Sequence, residues 1–289
     1  LAAIRPRPVY HFFCPWPTKP RISRPATSWK SACAFRSACL AAHVSDPNPG
    51  KDRIYAQPLE RVGGFVFDDS VAAVFDDMIR RSVPGYAMTL SLMPLIAKRY
   101  AQEQTRIYDL GCSLGAGLVA IANGSPESTT LIGIDNSQPM LDRCQSNLAQ
   151  AIDKQAWELR CVDILDTPIE NASVVLLNFT LQFIPVERRL ELLRSIASGL
   201  KPGGVLLVSE KVRFADPKAQ QDLFDLHHDF KRDNGYSDLE ISQKRGSLDN
   251  VLIAETSEEH KTRLSDAGFD HCETWLQCFN FVSMLAIKA

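Results

Sequence analysis

Apolar positions recur at helical spacing early in the chain. From residue 107 onward they come instead in short runs that end on polar residues. Val71, Val74, Phe75, Met78 and Ile79 share one face of a helix predicted over 68–80, with Asp68-Asp69-Ser70 as its start signal. Ser82-Val83-Pro84-Gly85-Tyr86 reads as a turn, and a second helix is expected from about Met88 to Tyr100. Ile107, Tyr108 and Leu110 then suit a buried strand. Further strands are predicted at 131–135, 157–164, 172–180 and 205–210. Helices fall between them, at 140 to about 152 and at 185–200, where Lys201-Pro202-Gly203-Gly204 stops the last one. The run at 172–180 is almost continuously apolar, which implies burial on both faces. Strands alternating with helices predict an α/β fold around a mostly parallel sheet.

Candidate chemistry gathers at the ends of these strands. Asp109-Leu110-Gly111-Cys112-Ser113-Leu114-Gly115 breaks the first strand into a glycine loop and opens a helix. Gly111 permits a sharp turn, and the small Ser113 and Gly115 let a nucleotide-like ligand approach the backbone. Such a loop also serves as a plain tight turn. Asp135 follows Gly115 by twenty residues, near the spacing at which an acid accepts from ribose hydroxyls. An Asp-Asn-Ser stretch before Pro139 also reads as a helix cap, and the two roles are compatible. Asp163 ends the third strand, where it suits an adenine amino group or a solvated loop. Asn178 ends the fourth, where cofactor-facing residues sit. Tyr86 fits a ligand contact or a packed turn residue. His227-His228-Asp229 invites a metal reading. Adjacent helical residues diverge by about a hundred degrees, however, so packing or an interface role is favoured.

Composition narrows the classes. The 289 residues are 45% hydrophobic and 23% charged, which is globular, and no apolar run approaches membrane-spanning length. Eight cysteines without a CxxC pair suggest neither zinc nor a disulfide framework, but buried, reduced thiols of a cytoplasmic protein. Residues 1–45 differ from the rest: they hold seven basic residues and no acid, and are rich in Pro, Ser and Ala. A targeting peptide, a disordered tail and a mis-translated upstream stretch are all compatible with this, and an initial Leu1 rather than Met favours the last. Residues 46–289 then keep 25 of the 32 basic residues against all 34 acidic ones, a net charge of −9. Such a body is poorly suited to gripping nucleic acid directly.

The Asp109-x-Gly111…Gly115 loop, Asp135, Asp163, the Asn178 strand and Leu200-Lys201-Pro202-Gly203-Gly204 together resemble class I S-adenosylmethionine-dependent methyltransferases. Ser113 departs from that pattern, since a glycine is common there. The resemblance implies a Rossmann-like, mostly parallel seven-stranded sheet with one antiparallel strand, closed by strands near Thr274-Trp275 and Phe279–Ile287. The domain would span 46–289, with a helical cover at 46–104 and a lid or dimer insertion at 211–261 after the fifth strand. Within that insertion 217–233 reads as helix and 234–250 as a cover over the cofactor.

Longer strings narrow the likeness. Arg81–Tyr86, Tyr108–Gly115, Asn178–Phe183, His227–Arg232 and Glu240–Arg245 resemble the bacterial carboxy-S-adenosyl-L-methionine synthase family. That resemblance implies a homodimer that takes S-adenosylmethionine and prephenate. It releases phenylpyruvate and carboxy-S-adenosyl-L-methionine, from which a separate enzyme carboxymethylates a tRNA wobble uridine. The sulfonium acidifies its methyl group, prephenate breakdown supplies the base, and the carbon captures released carbon dioxide if water is excluded. By the same resemblance Tyr86, Gly111, Cys112, Ser113, Asp135, Asn136, Asp163, Ile164 and Asn178 contact the nucleoside. Arg245 would clamp the new carboxylate with its planar fork; read by itself it is a solvated cation in a Lys-Arg pair. No metal is implied, and no residue stands out as a general base. Ordinary methyl transfer to a small molecule and a silent S-adenosylmethionine-binding role share the same cofactor site and stay open.

Overall fold

The computed structural model describes residues 50–289; the extension at 1–45 lies outside the described residues. The sheet begins with β1 (Arg106–Leu110), β2 (Thr130–Asp135) and β3 (Ala156–Cys161), which pair in parallel. On the other side of β1 lie β4 (Ala172–Asn178) and β5 (Leu200–Lys211), also parallel. β7 (Phe281–Ile287) pairs antiparallel with both β5 and the edge strand β6 (His271–Cys278). The order is β3-β2-β1-β4-β5-β7-β6. Seven strands with one reversed is the arrangement expected, and the order reverses between β1 and β4, where ligands bind at strand carboxyl ends.

Period-two alternation divides the apolar strands between two cores. Tyr108, Leu110, Ile132, Ile134, Val175, Leu177, Leu206 and Val208 face one. Ile107, Leu131, Val174, Leu176, Val205 and Leu207 face the other. A strand buried on both faces has no polar side to show, which is why these runs read as continuous. α3 (Ala116–Ala122) and α4 (Gln138–Ala151) connect the first three strands, and α5 (Val186–Gly199) precedes β5.

The helical cover is α1 (Asp69–Ser82) and α2 (Tyr86–Tyr100). Asp68 caps α1 by accepting from the Val71 N–H at 3.0 Å. Val71, Ala72 and Met78 of α1 pack with Met140 of α4, beside Phe65, Phe67 and Phe75. α2 begins two residues earlier than expected, because Gly85 at φ 82° reverses the chain sharply enough for Tyr86 to be helical. β3 ends at Cys161 rather than near 164, because Asp163 accepts from the Leu165 N–H at 2.9 Å and starts a 3-10 turn. β5 is entered at Leu200, and the expected stop at 201–204 is a register shift within the strand. After β5 come α6 (Pro217–Asp233), α7 (Asp238–Leu248) and α8 (Ser257–Asp266), the last not anticipated. α7 starts with a capping box of Ser237 and Glu240. Of the five described cysteines only Cys112 and Cys144 are buried, and Cys161 is exposed, so the buried-thiol expectation holds for two. No helix among the described residues is long and apolar enough to cross a membrane.

Candidate active site

A cavity of about 540 Å³ opens over the carboxyl ends of the strands, within the size range of ligand sites. Nine predicted residues line it: Tyr86, Gly111, Cys112, Ser113, Asp135, Asn136, Asp163, Ile164 and Asn178. The loop is shaped by its backbone. Gly111 has φ 81°, and a Cβ there would stand 2.6 Å from Thr180 Cγ2 and Oγ1. Gly115 has φ 83°, and a Cβ would meet Cys144 Sγ at 2.7 Å. Ser113 also sits in the left-handed region, at φ 49°, which accounts for the glycine usual in related loops. Asp135 holds that conformation: its Oδ2 accepts from the Ser113 N–H and its Oδ1 from the Ser137 N–H, both at 2.9 Å. Asp135 is therefore an anchor of the loop as well as an acid facing the cavity. Burial raises its pKa, opposed by these backbone donors.

Among the described residues, Asp109 Oδ1 and Asn178 Oδ1 are buried acceptors at the strand ends of the wall that have no partner. Asp109 is the penultimate residue of β1, and burial, followed by the charge of Asp135, pushes its carboxyl up to about 7. An unpaired acid and amide at a strand-end cleft call for a cationic or hydrogen-donating ligand. They fit the ammonium end of S-adenosylmethionine. Asp163 is exposed; one oxygen caps the Leu165 turn and the other accepts nothing from a described residue. The Tyr86 ring lies 6.3 Å from that of Phe179. Phe67 meets Phe65 and Phe183 edge-on at 5.1 and 5.5 Å and forms an apolar wall.

Three lysines also line the cavity: Lys211, Lys231 and Lys244. Lys244 Nζ is 3.1 Å from Ser82 Oγ and 3.6 Å from Asp52 Oδ2. Burial pushes Lys244 down to about 8, opposed by Asp52, and pushes Lys231 down to about 7, helped by Lys244 and Lys211. His227 is buried, with Nε2 2.8 Å from the Ser82 carbonyl and its ring edge-on to Phe281 at 4.9 Å. The His228 ring packs on Phe224 at 4.2 Å.

Arg245 is the predicted site residue not brought to the cavity wall. Its side chain is exposed on α7, with the guanidinium 4.9 Å above the Phe224 ring. Its charge still reaches inward, since it depresses both Lys211 and Lys231. Asp109 and the three lysines are the charged lining residues to which the sequence assigned no role. Asp109 was legible as the first residue of the glycine motif. The lysines carried no local signal.

The switch-point cleft, the glycine loop and the strand-end acids define a class I methyltransferase fold. The methyltransferase domain family matches residues 107–204. An O-methyltransferase family protein from Burkholderia thailandensis superposes with a TM-score of 0.55 at 17% identity, over 77% of this chain and 61% of that one. Closer relatives narrow the class. A carboxy-S-adenosyl-L-methionine synthase from Hahella chejuensis is 54% identical over 244 residues, 82% of this chain and 98% of the relative. A protein of the same name from Actinobacillus pleuropneumoniae is 50% identical over 239 residues, covering 82% and 99%. The chain belongs to the carboxy-S-adenosyl-L-methionine synthase family.

Proposed function

We propose that this chain converts S-adenosylmethionine and prephenate to carboxy-S-adenosyl-L-methionine and phenylpyruvate, in the cytoplasm and as a homodimer. The product would supply tRNA wobble-uridine carboxymethylation by another enzyme, the acidic body of this one being poorly suited to gripping RNA. The observation that carries the reading is the pair of unpartnered acceptors, Asp109 Oδ1 and Asn178 Oδ1, beside the Gly111–Gly115 loop.

S-adenosylmethionine, when bound, supplies a methyl group acidified by its sulfonium. The protein's residues position it. Asp135 and Asn136 would take the ribose, Asp163 and Ile164 the adenine, and Asp109, Asn178 and the loop backbone the methionine moiety. Tyr86, α6 and α7 would exclude water from the reacting carbon. Arg245 is assigned the new carboxylate; its neighbour Lys244 lines the cavity, and its guanidinium, stacked on Phe224, would have to leave that ring and turn inward to serve. Exposed Leu226 and Leu239 on α6 and α7 suit a subunit contact.

The test is mass spectrometry of the nucleoside after incubation with S-adenosylmethionine, with and without prephenate. A species heavier by one carbon dioxide, made only with prephenate, is expected. S-adenosylmethionine or S-adenosylhomocysteine alone in both samples would return the chain to methyl transfer or silent binding.

A further inference from the structure

We propose that Lys211, Lys231 and Lys244 form a subsite for the dicarboxylate co-substrate, a place distinct from the acid-lined nucleoside end of the same cavity. The proposal rests on the carboxylation reading above. The lysines come from three elements, the end of β5, α6 and α7, all line the cavity, and Lys211 and Lys244 lie near enough to Lys231 to repel its charge. Lys231 and Lys244 are only 8% and 7% exposed. Neither Lys211 nor Lys231 has a side-chain hydrogen bond or ion pair with a described residue. Lys244 pairs with Asp52 at 3.6 Å, and that carboxylate already accepts from the Tyr236 hydroxyl at 2.5 Å.

Buried ammonium groups left without counter-charges are unfavourable, and a protein keeps them where a ligand completes them. Two carboxylates fit here, because Lys211 and Lys231 have no ion-pair contact and Asp249, just past α7, acts on Lys211 only through space. His227 sits among them without adding charge. The Ser82 carbonyl 2.8 Å from Nε2 fixes the proton there, and burial with the nearby Lys231 and Lys211 keeps the ring neutral. Nδ1 is left as a buried, unpartnered acceptor. The lysines and the acids are electrostatically separate. Lys231 is depressed by burial, Lys244, Lys211 and Arg245, while Asp109 responds to burial and Asp135. A cation-seeking and an anion-seeking region in one cavity match a sulfonium donor and a dianionic partner. The Phe67 wall gives an apolar ring a surface.

The test compares wild type with Lys211→Met, Lys231→Met and Lys231→Arg in the full chain. Each Met variant should raise KM for prephenate about 10- to 100-fold, as loss of one charge-assisted contact predicts. The Kd for S-adenosylmethionine should stay within about twofold, and Lys231→Arg should recover most of the loss. Unchanged KM would overturn the subsite. So would an equal loss of S-adenosylmethionine affinity, which would place the lysines on the methionine carboxylate. A wild type inactive with prephenate would refute the carboxylation reading instead. Thermal stabilisation by the inert dicarboxylate phenylsuccinate then decides the subsite separately: stabilisation of wild type but not of Lys231→Met sustains it, and equal or absent stabilisation rejects it.

Discussion

Replacing Lys231 by Met should make the unliganded protein more stable. A lysine in an unfolded chain titrates at 10.5, and Lys231 in the folded protein at about 7. At about 1.4 kcal/mol per pH unit, the difference is worth about 5 kcal/mol against folding. Because the folded value is the lower one, the unfolded state holds the extra proton between pH 7 and 10.5. The penalty is therefore complete below pH 7, shrinks as pH rises, and vanishes above 10.5. The side chain lines a cavity that water can enter, which reduces the gain to about 2 kcal/mol. In a chain of this size that is a rise of about 4–8 °C in Tm. Lys211 on β5, Lys244 and Arg245 on α7 and His227 on α6 surround the amine, and no acid contributes to its titration. Thermal melts of wild type and Lys231→Met at pH 6.5 and pH 9.5, without ligand, decide the matter. The gain should be large at the lower pH and small at the higher. A variant no more stable at pH 6.5, or stabilised equally at both, would refute the buried-charge account. Extra apolar packing by Met is independent of pH, so the difference between the two melts isolates the charge.

Other expectations are as direct. Asp109 titrates at about 7, so affinity for cationic S-adenosylmethionine should rise about tenfold per unit from pH 5 toward 7 and flatten above; calorimetric titration of Asp109→Asn should show no such slope. Gly111→Ala places a methyl 2.6 Å from Thr180 at φ 81°, and should destabilise by about 1–3 kcal/mol in denaturant melts with a weaker nucleoside site. Arg245→Ala should weaken binding of carboxy-S-adenosyl-L-methionine far more than of S-adenosylmethionine; equal losses would end its assignment as a carboxylate clamp.

The parts that could be read from the chain are those whose causes are local. A parallel strand buried on both faces must be apolar throughout, so the strand read at 172–180 announced itself, although it ends at Asn178. The glycine loop and Asp135 were legible because a sharp turn and a strand-end acid need particular residues at particular spacing. Element ends were blurred where a side chain decides them. Asp163, read as the last residue of a strand, caps a turn that ends the strand at Cys161. Lys231 and Lys244 escaped for another reason. Lys231 sits among Asp229, Arg232 and Asp233 on a helix whose charges read as a solvated face. What buries it is the packing of α6 against α1 and the nearness of Lys244 and Lys211, none of them near in sequence.

The separation of charge in the cavity bears on how the two substrates meet. The cavity holds two acids, Asp109 and Asp135, at the β1 and β2 ends and the amines of Lys211 and Lys231 near the end of β5, and neither group relieves the other. Elsewhere the fold pairs its buried charges internally: Arg189 bonds Glu255 in a buried network that also includes Arg263. Left apart, the cavity's acids and amines gain a contacting counter-charge only from ligands. A cation at one end and a dianion at the other remove both penalties and attract each other across the cavity. Each substrate should therefore tighten the other, and the coupling should weaken when Lys231 is neutralised. That reciprocity would hold the reacting carbon and the departing carboxylate together while α6 and α7 keep water away, which capture of free carbon dioxide requires.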